Sequence, residues 1–199
     1  MNQEATHQHK TRLAIFASGG GSNAGAIMHH FQEHASAEVV LVCSNNKQAG
    51  VFERAASFGI KALHLPRSVY SDSQALIALM KEHHIDLVVL AGYMKLVPPG
   101  FTRAFHRRIL NIHPGLLPEF GGKGMYGTHV HEAVINSGTA WSGITIHFVD
   151  EEYDHGPTIF QHAIPVQSSW DAKALAAAVL KQEHHWYPRV VEMVVKQQK

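Results

Sequence analysis

Asp86-Leu87-Val88-Val89-Leu90-Ala91-Gly92-Tyr93-Met94 is apolar at nearly every position. A half-exposed strand alternates apolar and polar residues, whereas a strand covered on both faces does not. The stretch, taken over 86–94, therefore reads as a central parallel strand. Parallel neighbours need crossover connections, usually helices, so the flanking sequence has to supply them.

It does so on both sides. Leu13 to Ser18 is a short apolar run, followed by Gly19-Gly20-Gly21-Ser22-Asn23 and a helical segment from Ala24 to about His34. Glu38 to Ser44 is a second strand, Gly50 to Phe58 a second helix ended by Gly59, and Lys61 to Leu65 a third strand. Leu76, Ile77, Leu79 and Met80 give residues 71–84 helical periodicity. Downstream come a short helix from Pro98 to His106, a strand entered at Arg108-Ile109-Leu110, and a glycine-rich loop at 120–127. A helix over 128–136, strands over 143–149 and 158–166, and a long helix over 171–196 complete the chain. Pro188 is expected to interrupt that last helix. Strands alternating with helices define an α/β fold, Rossmann-like, with a mostly parallel central sheet flanked by helices.

The 199 residues suit one domain with a sizeable core, expected over 13–199, with residues 1–12 as a loose polar extension. Apolar residues make up 45% and charged residues 17%, which argues for a soluble globular chain rather than a disordered one. A net charge of +1 gives no broad footprint for nucleic acid or membrane. Arg103, Arg107 and Arg108 read as a solvated face. No stretch approaches a membrane span, and residues 1–12 lack the apolar core of a secretory signal. Cys43 is the single cysteine and lies in an apolar run, so it reads as a core residue, and the expected compartment is a reducing cytoplasm. Seventeen histidines raise the question of metal. The neighbours His29-His30, His83-His84 and His184-His185 point in different directions on helices. His129-x-His131 comes nearest to ligand spacing, and no metal is expected.

Chemistry concentrates at Asn111-Ile112-His113-Pro114-Gly115-Leu116-Leu117-Pro118. Residues i and i+2 of a strand face one side, so Asn111 and His113 should share a crevice. Imidazole exchanges a proton near neutral pH, and a carboxamide can donate to a developing oxyanion. Pro114 ends the strand, and the carboxyl ends of strands are where α/β folds work. The loop Gly19–Asn23 lies between first strand and first helix, where backbone N–H groups can cradle phosphate; an ordinary N-capped turn is the plainer alternative. The loop ends in neither Lys-Ser/Thr nor a full GxGxxG, so a mononucleotide-like phosphate fits better than a dinucleotide. His147 shares a strand face with Thr145 and reads equally as core or site. Asp154 stands on a turn, and would act on His113 only if that turn folds back to it.

Together these residues resemble the folate-dependent formyltransferases. The resemblance runs from Ile15 to about Pro188 and rests on SGGGSN at 18–23, LAGYMKLV at 90–97, NIHPGLLP at 111–118, HFVDEEYDHGP at 147–157 and QEHHWYP at 182–188. It implies the formyltransferase fold and transfer of the formyl group of 10-formyltetrahydrofolate to the amine of glycinamide ribonucleotide, by direct attack through a tetrahedral intermediate. It implies catalytic roles for Asn111, His113 and Asp154, with Asp154 keeping His113 protonated. Gly21, Ser22, Asn23 and Glu183 would bind the ribonucleotide, and Met94, Lys95, Leu96, Val97 and Asn111 the folate. His129 and His131 align with histidines near the site. Partners would be small molecules, and the family pattern is compatible with a homodimer.

Three departures accompany the match. The loop at 120–127 is longer and richer in glycine, and places Lys123 within reach of a substrate carboxylate or phosphate. Lys95 stands in place of a commoner arginine and lacks its planar fork. No arginine near Ser71-Asp72-Ser73 matches one directed at the folate tail. A deformylase using the same three residues, a formyltransferase acting on initiator methionyl-tRNA, and a non-enzymatic nucleotide-binding domain are the alternatives; the first would carry a further domain ahead of the first strand, and the second an RNA-contacting domain after the last helix.

Overall fold

The computed structural model describes residues 10–198. Seven strands form one sheet in the order β3-β2-β1-β4-β5-β6-β7. β1 (Thr11–Phe16), β2 (Ala37–Ser44), β3 (Lys61–His64), β4 (Leu87–Leu90) and β5 (Ile109–His113) run parallel. β6 (Trp141–Phe148) and β7 (Thr158–Pro165) add antiparallel to the β5 edge. The order reverses at β1, which pairs with both β2 and β4. Such a switch point opens a crevice at the strands' carboxyl ends.

Helices cover both faces, as the unbroken apolar β4 requires. On one face α1 (Ser22–Glu33), α2 (Val51–Ser57), α6 (Thr128–Ser137) and α7 (Ala172–Gln197) pack over Leu13, Ile15, Val42, Val89 and Leu110. On the other, α3 (Arg67–Tyr70), α4 (Ser73–Glu82) and α5 (Pro99–Ala104) cover Ala14, Phe16, Leu41, Val88 and Ile109. The alternation along β1 divides its side chains between the two layers. Cys43 is fully buried and burial pushes its thiol pKa far up, so it is a core residue.

Four expectations change. Residues 1–9 of the expected extension lie outside the described residues, but Thr11 and Arg12 belong to β1. Arg12 is held there by its N–H on Asp86 Oδ2 (2.8 Å) and its guanidinium on Glu38 (2.6 Å). β4 stops at Leu90 rather than Met94, because the chain turns away to form the crevice wall. The segment ahead of α4 contains a separate short helix, α3, entered through Pro66. Finally, α7 runs unbroken through Pro188. Tyr187 beside it is fully buried and its hydroxyl donates to the carbonyls of Leu90 (2.9 Å) and Leu110 (3.2 Å). Packing of this turn against β4 and β5 outweighs the one helical hydrogen bond that proline removes.

The arginines at 103–108 make contacts within the chain. Arg103 pairs with Glu151 at 2.6 Å, and the guanidinium carbons of Arg107 and Arg108 lie over Phe148 and Phe105.

Candidate active site

A cavity of about 690 Å³ opens at the switch point, lined by Asn23, Met94–Val97, Asn111, His113, residues 122–128, His131, His147, Asp154 and Glu183 among others. Asn111 and His113 face it together from β5, as strand periodicity requires. Gly21 and Ser22 are not in its lining; they lie at the entry to α1, next to Asn23.

The position after β5 is fixed from β6. Thr145 pairs in register with His113. Its hydroxyl donates to the Gly115 carbonyl (2.7 Å) and accepts from the Leu117 N–H (3.0 Å) and from Gln161 (2.9 Å). Two strands thus hold the turn that follows His113.

Asp154 does fold back. It takes a left-handed φ of 56°, which Asp tolerates better than most residues. Its Oδ2 accepts the Gly122 N–H at 3.0 Å and lies 3.5 Å from His113 Nδ1, and its Oδ1 lies 3.4 Å from Asn111 Nδ2. Asn111 Nδ2 is also 3.1 Å from His147 Nε2, its cross-strand partner. His147 Nδ1 lies 2.8 Å from the Phe148 carbonyl and must donate to it, so Nε2 is the acceptor for the Asn111 amide. His147 therefore belongs to the site.

Charge in this cluster is set by burial. Desolvation pushes the Asp154 carboxyl up, but in the acid range where it titrates the protonated imidazoles of His147 and His113, with the Gly122 N–H, outweigh it and hold the group below the usual carboxylate range. For His113 burial wins: desolvation carries its pKa below 6.5 against the opposing pull of Asp154 and the Phe120 carbonyl. The expectation that Asp154 keeps His113 charged is corrected accordingly. The imidazole is neutral at neutral pH, with its proton on Nε2, which is 2.9 Å from the Phe120 carbonyl. Nδ1 is left as the basic nitrogen.

At the far end, Glu183 is buried and its Oε2 accepts from Asn23 Nδ2 at 2.6 Å. Desolvation raises its pKa to about 6 despite that bond. Asn23 Oδ1 is buried with no partner among the described residues. α1 begins at a left-handed Gly21 (φ 67°), where a Cβ would run into Val51; it has neither a side-chain cap nor an acidic residue in its first turn. By contrast α4 and α7 are capped by Asp72 and Asp171.

The opposite wall is apolar and open. Met94 and Leu96 are 49% and 43% exposed, far above the core. Ser18 Oγ accepts the Met94 N–H (2.8 Å) and donates to Asn45 (2.6 Å), tying this wall to the end of β1. Tyr126, Tyr153 and Leu180 extend the exposed apolar surface around the mouth. Lys123 and Lys95 also line the cavity. His131 is buried with Nδ1 unpartnered, whereas His129 is exposed and lies 3.3 Å from the Gly124 carbonyl, so the two do not converge on one ion.

Strand alternation pairs Thr145 with His147, but nothing in the sequence joins them to Ser18, Tyr153 or the residues of β5. The β5–β6 register that joins the first two to Asn111 and His113 is a property of the sheet.

A doubly wound sheet with a neutral imidazole, a carboxamide and a low-pKa carboxylate at its switch point defines an α/β protein built for group transfer or hydrolysis on a bound small molecule. The chain belongs to the formyl transferase family, whose pattern it matches over residues 11–191. It is 43% identical over 194 residues to the chloroplastic phosphoribosylglycinamide formyltransferase of Arabidopsis thaliana, a match covering 94% of this chain and 66% of the plant protein. The phosphoribosylglycinamide formyltransferase of Bacillus subtilis (strain 168) is 35% identical over 189 residues, with 92% and 94% covered. The chain thus spans just under two-thirds of the plant relative and nearly all of the bacterial one. Among solved structures, phosphoribosylglycinamide formyltransferase from Anaplasma phagocytophilum superposes with a TM-score of 0.86 at 35% identity, covering 95% of this chain and 88% of that one. Glycinamide ribonucleotide transformylase 1 from Symbiobacterium toebii gives 0.87 at 34% identity, covering 96% and 90%.

Proposed function

We propose that this chain is a formyltransferase of purine synthesis that moves the formyl group of 10-formyltetrahydrofolate onto the primary amine of 5'-phosphoribosylglycinamide. One observation carries the reading: Asn111, His113 and Asp154 meet between a polar end suited to a phosphorylated amine and an apolar wall suited to a flat ring. The uncapped start of α1 offers free N–H groups to a phosphate, and Gly21 and Ser22 serve there. Asn23 Oδ1 and Glu183 are acceptors for the glycinamide. Met94, Lys95, Leu96 and Val97 form the folate wall, where Lys95 and Lys123 are cations within reach of a glutamate carboxylate.

The amine nitrogen attacks the formyl carbon, and its lone pair becomes the new C–N bond. One N–H of Asn111 leaves Asp154 or His147 and donates to the oxyanion. His113 starts neutral, takes the proton shed by the attacking nitrogen at Nδ1, and becomes an imidazolium facing Asp154. The proton then passes to the departing folate nitrogen as its bond to the formyl carbon breaks. Fixing two substrates in one cavity supplies much of the rate.

Among the described residues no helix is long and apolar enough to cross a membrane. The reduced, buried Cys43 fits a cytoplasmic protein.

The test supplies 10-formyltetrahydrofolate with and without the ribonucleotide and follows folate release. Release that depends on the amine, with formylglycinamide ribonucleotide accumulating in equal amount, is expected. Release at the same rate without amine makes the chain a deformylase and overturns the reading.

A further inference from the structure

At the end of α1 away from the cavity, His30 and His34 are one helical turn apart and both lie near Glu192 of α7. Their nitrogens and one Glu192 oxygen all lie within 4.8 Å of one another. We propose that His30, His34 and Glu192 bind a borderline divalent transition metal, of the Zn²⁺, Co²⁺ or Ni²⁺ class, which ties α1 to α7.

The separations fit shared coordination. Two ligands each ~2.1 Å from one ion stand ~3.0 Å apart at a right angle and ~3.4 Å apart at the tetrahedral angle. His30 Nε2 and Glu192 Oε2 are 2.9 Å apart. An ion between them replaces a direct contact without moving either helix. The His34 ring lies against His30, with centroids 4.2 Å apart. Its side chain is exposed and free to turn its nitrogen onto the same point.

The carboxylate is already oriented for this. Glu192 Oε1 is taken by Lys196 Nζ at 2.8 Å and by Ser36 Oγ at 3.1 Å, which leaves Oε2 to face the imidazoles. Hydrogen-bonded outer partners of this kind fix ligating carboxylates in metal sites. His30 lies in the last turn of α1 and His34 at its C-cap, where the helix dipole favours a cation. Two imidazoles and one carboxylate select a borderline ion over Mg²⁺ or Ca²⁺, which prefer oxygen alone.

The consequence reaches the cavity through rigid helices. The opposite end of α1 carries Asn23, and α7 carries Glu183, which are joined at 2.6 Å. An ion at one end of this helix pair stabilises the pairing at the other.

The test titrates Zn²⁺ by calorimetry and Co²⁺ by visible absorption into the purified chain at pH 7.5, with His34→Ala and His29→Ala. Both substitutions remove exposed rings from α1 and leave the His30–Glu192 contact in place. One ion per chain is expected in the parent and in His29→Ala, with at least tenfold weaker binding in His34→Ala. Zn²⁺ should raise the melting temperature of the first two and not of the third. Equal affinity in the parent and His34→Ala puts the ion elsewhere among the histidines and overturns the proposal, as does the absence of a one-per-chain site in the parent.

Discussion

Oδ2 of Asp154 lies 3.5 Å from Nδ1 of His113, yet the imidazole titrates below its ordinary range. A carboxylate at that distance favours the imidazolium, but a side chain only 3% exposed loses more by desolvation. In the proposed mechanism His113 is accordingly neutral before the reaction, and Asp154 stabilises the charge that arrives during it.

The first prediction concerns turnover and its pH dependence. His113→Ala and Asp154→Asn should each lower turnover at least ~100-fold, as for loss of a general base or its tuner, with ribonucleotide affinity nearly intact. In the parent, the acid limb of kcat/KM should lie below pH 6.5, because the free enzyme works with neutral His113. Asp154→Asn removes an influence that raises His113, so its residual activity should persist to still lower pH. Near-normal turnover in both variants would remove these residues from the mechanism.

Glu183 gives a prediction of opposite sign. Its folded pKa, about 6, exceeds the ordinary value of 4.5. Between those values the folded state holds more protons than the unfolded state, so this contribution is complete below 4.5 and is lost as pH rises through 6. Glu183→Gln keeps an acceptor for Asn23 but removes the buried charge. The variant should gain on the parent as pH rises, reaching about 2 kcal/mol by pH 7.5, while its KM for the ribonucleotide rises at least tenfold. Urea denaturation at pH 5, 6 and 7.5 with steady-state kinetics checks both. A stability gap that does not widen with pH would show Glu183 to be ionised without cost.

Elements governed by local pattern were legible in the sequence, and contacts governed by register were not. The apolar run at 87–91 and the alternation of strands and helices were enough for the α/β sheet. Strand periodicity alone placed Asn111 and His113 on one face. The cross-strand pairing of Asn111 with His147 depends on how β6 aligns with β5, and the approach of Asp154 on a left-handed backbone. The neutrality of His113 follows from burial, to which a linear motif is blind. Pro188 is the converse case: the local rule was sound, but the tertiary contacts of Tyr187 prevailed.

Gly156 is where the turn bearing Asp154 meets β6. A Cβ there would overlap the Phe148 carbonyl oxygen and crowd the Asp150 N–H. Both are backbone atoms, so neither can swing aside. Gly156→Ala should cost roughly 2–3 kcal/mol, as for overpacking against a fixed neighbour. It should also lower turnover at least tenfold by displacing Asp154, whereas Gly59→Ala, strained by its left-handed φ of 69° but with open space around it, should cost stability and leave turnover unchanged. Thermal melting and initial rates separate the two effects; full activity in Gly156→Ala would mean that the turn relaxes without moving the carboxylate.

Tyr187 tests why α7 survives its proline. Its hydroxyl reaches the carbonyls of Leu90, the last residue of β4, and of Leu110 in β5. Tyr187→Phe keeps the ring and its packing but leaves those buried acceptors without this donor. A loss of roughly 1–2 kcal/mol is expected, the cost of an unmet buried hydrogen bond. Hydrogen exchange should quicken in the turn of α7 around Pro188 more than in α4, which makes no contact with this hydroxyl. If stability falls but exchange rises evenly over the molecule, the hydroxyl supports the fold as a whole, and the continuity of α7 at Pro188 rests on the apolar burial of Tyr187 instead.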